Sequence, residues 1–304
     1  MADTTNRQSQ YQLGTPLLRT GPGIHPARAS RIAPARPLAE ATALAAVYAV
    51  SVGSLVGFAT FSLHPELLVR AEVSASTYAR ILVVAPRAQI LIALVALVAV
   101  LTGRVGRRWV PAFVVVYAVS LLAELAGTTI GVPFGPYRYT DGLGLKWFGH
   151  VPVLIPASWF MMALPSYAVA LRRFPAARWS LGRVALGSFI LLSWDLALDP
   201  AMSFVTKYWL WSTTGPYYGM PILNLVGWFV TGVALMIAFA ALRVDAWIDD
   251  VPTPWLLGFY GANLLLPVGM NIASGLWGAV AATGAALGGA ALIARRARGS
   301  LAAA

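Results

Sequence analysis

The chain alternates between long apolar stretches and short polar ones. Apolar residues dominate 41–63, 81–102, 109–131, 151–171, 183–200, 221–242, 254–273 and 275–294, which hold almost no charge. Most reach the ~20 residues that an α-helix needs to cross a hydrocarbon core of about 30 Å. In that core every backbone polar group has to be satisfied within the protein, so helices are the expected form. The pattern predicts an all-α polytopic transmembrane bundle of about eight spans, occupying residues 39–295. Residues 1–38 are polar and rich in Pro, Arg and Gly; they lack the apolar core of a signal peptide and read as a disordered cytoplasmic tail. Residues 296–304 read as a second cytoplasmic tail.

Composition agrees: 59% of the 304 residues are hydrophobic and 11% charged, against roughly 25% charged in a soluble domain. A net charge of +11 would suit nucleic acid, but its distribution argues otherwise. Sixteen of the 22 basic residues fall in the N-terminal tail, 103–108, 172–183, 243–253 and the C-terminal end. The alternate loops carry Arg70, Arg80, Arg138, Lys146 and Lys207, and Arg87 lies within a span. This positive-inside pattern predicts an even helix count, a multi-pass protein of the inner (cytoplasmic) membrane, and both termini in the cytoplasm. There is no cysteine, and the histidines (His25, His64, His150) form no metal-binding pair, so neither a disulfide nor a transition-metal site is expected.

Two outward loops, 132–150 and 200–220, are crowded with Gly, Pro, Tyr and Trp. The first contains Gly135-Pro136-Tyr137, then Pro152 with Trp159-Phe160 seven residues on. The second contains Gly215-Pro216-Tyr217, then Pro221 with Trp228-Phe229 seven residues on. Each loop follows a span with acids in its outer half, Glu124 in the third and Asp195 and Asp199 in the fifth. These matches predict a degenerate parallel repeat, spans 3–4 against spans 5–6, that brings the acids to similar depth.

Ionisable groups within spans are costly and mark functional sites. Glu124, Asp195 and Asp199 are therefore the candidate catalytic residues, Asp195 and Asp199 sharing one helix face at four-residue spacing. A carboxyl kept from water favours its neutral form and can donate a proton. Asp199 precedes Pro200 and is expected to end its span near the outer interface. Pro86 and Arg87 suggest a kink in span 2; Arg87 either snorkels to the headgroups or balances a buried acid. Asn224 and Trp228 share a face of span 6, where Asn224 holds a water or a neighbouring helix. Asn263 and Asn271 suit helix packing.

Taken together, Glu124, Phe134-Gly135-Pro136-Tyr137-Arg138-Tyr139, Val151-Pro152 with Trp159, Asp195-x3-Asp199-Pro200, and Gly215-Pro216-Tyr217-Tyr218-Gly219-Met220-Pro221 with Asn224 and Gly227-Trp228 resemble the carotenoid biosynthesis membrane family of CruF-type and bisanhydrobacterioruberin hydratases. The resemblance covers roughly residues 40–295 and is strongest over 117–230. It implies addition of water to the terminal double bond of a linear carotenoid, giving a tertiary alcohol with no cofactor. It also implies a lipid-bilayer setting, and association with other carotenoid biosynthesis enzymes is an expectation of the same kind.

Such a reaction needs a proton donor, a group to orient water, and aromatic faces for a carbocation. Glu124, Asp195 and Asp199 are candidates for the first two roles, and the residues leave open which acid donates. Tyr137, Trp159, Tyr217, Asn224 and Trp228 are candidates for shaping the substrate pocket. Two other classes compete. A lycopene elongase-like prenyltransferase is suggested by Asp195-x3-Asp199 and Asp245-x3-Asp249, although the predicted topology puts those pairs on opposite faces. A non-enzymatic carotenoid-binding or transport protein would also fit the spans and the repeat.

The topology is directly testable. Reporter fusions after Gly106, Arg178 and Arg296 are expected to report cytoplasm, and fusions near Asp141 and Thr213 the outer side. The same side for Asp141 and Asp245 would refute the eight-span arrangement.

Overall fold

The computed structural model describes residues 37–70, 72–175 and 179–295. The expected tails, except for residues 37 and 38, lie outside the described residues. The first helix, α1 (Pro37–Gly57), continues through a wide π turn, Phe58–Ser62, and is followed by a short α2 (Glu66–Arg70). Seven long helices complete the bundle: α3 (Ala75–Val105), α4 (Val110–Ile130), α5 (Leu154–Arg173), α6 (Leu181–Asp199), α7 (Ile222–Ala241), α8 (Thr253–Ala273) and α9 (Trp277–Arg295). Among the described residues, eight helices are long and apolar enough to cross a membrane, and they fall where hydropathy places them. The chain is a multi-pass membrane protein. Side-chain caps start two of its helices: Ser74 accepts from the Thr77 amide and Ser180 from the Arg183 amide. Gly131, at φ 76°, closes α4 in the left-handed conformation that suits glycine. Pro86 does not interrupt α3.

The centre of the bundle is α5. Its residues from Trp159 to Ala168 are all buried, so this helix is surrounded by protein on every face. It packs against α3, α4, α6, α7 and α8. The outer helices turn exposed apolar side chains such as Val95, Leu122, Val226 and Val230 to the surroundings, as lipid contact requires.

The two ends differ in chemistry. At one end Arg104 makes a two-pronged ion pair with Glu40 (2.5 and 2.8 Å), and Arg108 reaches Asp250 and the Ala246 carbonyl. Arg172 meets Asp249 at 3.8 Å, and Arg173 donates to the Ile293 carbonyl. The start of α1 and the ends of α3, α5, α7 and α9 therefore share one face. At the other end lie three short strands in the first aromatic loop, β1 (Tyr137–Tyr139), β2 (Lys146–Trp147) and β3 (Val151–Pro152), and one in the second, β4 (Trp209–Trp211). Strand β2 pairs with β3, and β1 pairs antiparallel with β4, Tyr137 opposite Trp211 and Tyr139 opposite Trp209.

The two aromatic loops thus join, but they are not spatial equivalents. Gly135-Pro136-Tyr137 leads into β1, whereas Gly215-Pro216-Tyr217 follows β4 and forms a tight turn before α7. The physical reason is that α6 runs on past Asp199 and a strand intervenes, so the second run arrives late. The helix starts do correspond: Trp159 of α5 and Trp228 of α7 stack, centroids 4.0 Å apart and planes 20° apart.

Phe134 anchors the first loop in a slot between α4 and α7. A Cβ on Gly127 would lie 2.8 Å from the Phe134 ring and 2.9 Å from that of Tyr137; a Cβ on Gly227 would lie 2.5 Å from Phe134 and 2.8 Å from the Pro133 carbonyl oxygen. Gly227→Ala is therefore expected to destabilise the protein by about 1–3 kcal/mol through overpacking. Gly103→Ala, with open space around it, should be neutral or slightly stabilising, as helical Gly→Ala ordinarily is. Thermal unfolding midpoints in detergent check the pair.

Candidate functional site

Glu124 sits one turn before Gly127 on α4 and is 4% exposed. The absence of a side chain at Gly127 lets the first loop settle onto the helix. That places the Tyr137 and Tyr139 hydroxyls on Glu124 Oε2, the latter at 2.9 Å. From α5, Trp159 Nε1 donates to Oε1 at 2.9 Å. Burial, and then the Glu124 carboxyl beside them, hold both phenols well above the ordinary tyrosine range, so they remain donors.

Asp195 and Asp199 face the same cavity from α6, at 0% and 2% exposure. Asn224, at the start of α7, bridges them: its Nδ2 donates to Asp195 Oδ2 at 2.8 Å and to Asp199 Oδ2 at 3.3 Å. Asp199 also accepts from Ser203 Oγ (2.6 Å), Trp211 Nε1 (3.2 Å) and Trp209 Nε1 (3.4 Å). The other carboxyl oxygen of Asp195, Oδ1, finds no hydrogen-bond partner among the described residues.

The antiparallel ribbon explains why so many donors converge. Residues two apart on a strand share a face. Tyr137 and Tyr139 on β1 serve Glu124, while Trp209 and Trp211 on β4 serve Asp199. Their rings also meet across the strands, Tyr137–Trp211 at 5.1 Å and Tyr139–Trp209 at 5.9 Å. Lys146 steadies this ribbon by donating to the Tyr139 carbonyl at 2.9 Å and to Asp141 at 2.8 Å.

One cavity of about 110 Å³ is lined by Glu124, Asp195, Asp199, Tyr137, Trp159, Asn224 and Trp228. A larger apolar chamber of about 400 Å³, bordered by α1, α3 and α8, shares Pro86, Met202, Tyr208 and Leu266 with it as walls.

Three expectations need correction. Asp199 does not end its span in water. The helix continues through Pro200–Val205 as a π turn, whose wider winding accommodates an interior proline, and Ser203 from that turn donates to Asp199. Tyr217 is not among the residues lining the cavity. Pro200 has no N–H to offer the Leu196 carbonyl four residues back, and the Tyr217 hydroxyl donates to that carbonyl at 2.8 Å instead. Arg87 balances no acid among the described residues; it donates to the Gly142 (3.1 Å) and Asp141 (3.0 Å) carbonyls and ties the first loop to α3. Asn271 does pack helices, donating to Ala197, whereas Asn263 bonds within its own helix and borders the cavity.

The structure also recruits Tyr139, Trp209, Trp211 and Ser203, which composition alone does not single out. The signal for the first three is alternation, Tyr137-x-Tyr139 and Trp209-x-Trp211. Asp245 and Asp249 lie beyond the far end of α7, which is about 30 Å long, with Asp249 against Arg172.

The bundle and its site define a class: a multi-pass membrane protein whose spans enclose a carboxyl-lined aromatic cavity near one end. Residues 86–290 match the family described as carotenoid biosynthesis protein, and the chain belongs to that family. It is also 30% identical over 145 residues to the bisanhydrobacterioruberin hydratase of Haloarcula japonica, a match covering 47% of this chain and 48% of that protein. The chain thus aligns with about half the length of this relative. No solved structure matches.

The role found for Tyr217 can be checked. Tyr217→Phe is expected to lower stability by about 1 kcal/mol, the usual worth of a hydrogen bond, here to a part-buried carbonyl, while the cavity stays intact. An unchanged thermal midpoint in detergent would contradict that role.

Proposed function

We propose that this protein adds water across the terminal carbon–carbon double bond of a linear carotenoid, giving a tertiary alcohol. The observation that carries the reading is the state of the three buried acids. Among the described residues, Glu124, Asp195 and Asp199 take part in no ion pair. They are held by neutral donors around a cavity whose other walls are mostly aromatic and aliphatic side chains. That arrangement suits proton transfer to an apolar substrate and stabilisation of a cation. The family and the hydratase relative support the same chemistry.

The hydrogen bonds divide the labour. Glu124 accepts from three donors and Asp199 from four, which suits acceptor carboxylates facing a positive charge. Asp195 has one oxygen held by Asn224 and one without a partner among the described residues, which suits the proton donor. Asp195 gives its proton to the less substituted alkene carbon, forming a C–H bond and a tertiary carbocation. The faces of Trp159, Trp228 and Tyr137, with the two carboxylates, stabilise that cation. Water attacks it, forming the C–O bond, and its surplus proton returns to Asp195. The neighbouring chamber is apolar and of a size for part of the polyene. The diphosphate of a prenyl donor would instead need both aspartate pairs at one metal site, and they are separated by the length of α7.

Glu124→Gln and Asp195→Asn should each fold. The Gln amide faces tyrosine hydroxyls that can accept, and the Asn amide takes the place of the unpartnered oxygen. Asp195→Asn is expected to slow water addition about 10²–10⁴-fold, the usual worth of general acid–base catalysis, and Glu124→Gln about 10²–10³-fold, through loss of the charge that stabilises the cation. Lys207→Ala is the control. Pigment mass spectrometry after co-expression with a linear-carotenoid pathway measures the gain of one water. Near-normal hydration by both variants at matched protein level would refute these roles, and gain of an isoprenoid unit would refute the reaction.

A further inference from the structure

Beyond the acids, two residues that border the cavity carry buried polar atoms that the chemistry above does not use. Gln89 of α3 and Trp194 of α6, each 7% exposed, both border the cavity. Neither Gln89 Oε1 nor Trp194 Nε1 has a hydrogen-bond partner among the described residues, and the same holds for Asp195 Oδ1. The orientation of the Gln89 amide follows from its neighbours. Ser51 spends its one hydroxyl proton on the Ala262 carbonyl at 2.8 Å, so its oxygen must accept from Gln89 Nε2, also at 2.8 Å. That leaves the amide oxygen as the unsatisfied end.

Unmet buried polar groups are costly, and natural proteins rarely keep three around one small cavity without a ligand that satisfies them. Here they are an acceptor, a donor and a carboxyl oxygen. A water molecule offers two protons and two lone pairs, occupies about 30 Å³ in the liquid, and needs two to four polar partners when buried. We infer that Gln89 and Trp194 form, with Asp195, the binding site for the water that attacks the carotenoid, which rests on the hydration reading above. The Trp194 N–H donates to one lone pair of the water, and the Gln89 carbonyl accepts a hydrogen bond from one of its O–H groups. This leaves the second lone pair for the carbocation and the second proton for Asp195 Oδ1, which has just given its own away. Gln89 and Trp194 are positioning residues, since neither exchanges a proton with the substrate.

The inference separates water capture from alkene protonation. When the cation is not captured, it returns a proton from an adjacent carbon to Asp195 and becomes alkene again. In D2O, where Asp195 carries deuterium, that return leaves deuterium in the recovered, unhydrated carotenoid. Gln89→Leu and Trp194→Phe are assayed in D2O with a linear carotenoid in membranes, beside the wild type and Lys207→Ala, at matched levels of folded protein. Each is expected to lower hydrated product about tenfold or more, while deuterium in the unreacted carotenoid stays at or above the wild-type level. Should Gln89→Leu fail to fold, Trp194→Phe decides, because it keeps an apolar ring and removes the N–H. Wild-type hydration by the variants overturns the water site while leaving the hydration reading in place. A parallel fall of deuterium entry and hydration also overturns it, since the residues would then serve protonation or packing. A wild-type protein that neither hydrates nor exchanges overturns both.

Discussion

Three carboxyl groups at membrane depth, with no ion-pair partner among the described residues, constrain the architecture around them. Each needs hydrogen-bond donors, and the helices themselves supply few, since their amides are engaged in the backbone ladder. The donors come mostly from outside: Tyr137, Tyr139, Trp209 and Trp211 from the loops, Trp159 from α5, Asn224 from α7 and Ser203 from the turn after α6. To deliver them the two loops must fold back onto the bundle and pair as β1 and β4. That fold in turn requires the glycines under Phe134, the lysine that fastens β1, and Arg87 gripping the first loop. Neutral donors and not cations satisfy the acids, as the proposed proton transfer requires; a lysine or arginine in contact would hold a carboxylate ionised.

The spans are legible in the sequence because crossing a membrane requires length and apolarity, and both are local properties. Glu124, Asp195, Asn224, Trp159 and Trp228 are legible for a related reason: polar groups among apolar ones, at helical spacing, reveal both depth and face. Asp199 misleads because Pro after a helical residue usually ends a helix, and nothing local shows that a wide turn will carry it on. Tyr217 misleads because its place in a Gly-Pro-Tyr run resembles that of Tyr137. Its hydroxyl serves the carbonyl that Pro200 leaves open, a debt incurred seventeen residues earlier. Tyr139, Trp209 and Trp211 are hidden among loop aromatics that interfacial preference already explains, and their function depends on a strand pairing between distant segments. Gln89 and Trp194 are single residues on apolar helices, and only the packing of α1, α3 and α6 shows what they lack.

The position of the cavity between the two ends carries the last step. The arginine-bearing turns lock one end with ion pairs to Glu40, Asp249 and Asp250. Glu124, Asp195 and Asp199, toward the other end, are held by neutral donors instead. A reaction that joins water to the end of a long hydrocarbon has to meet two solvents at one point. A cavity under an aromatic ribbon at the end of the bundle lies close to water, while the apolar chamber between α1, α3 and α8 lies alongside it within the helices. On the proposed reading, a polyene keeps its length among these apolar side chains and presents its terminal carbons to Asp195. A site midway along α7 would strand the water, and one in the loops would expose the polyene. The same four rings of β1 and β4 that hold Glu124 and Asp199 also line the cavity.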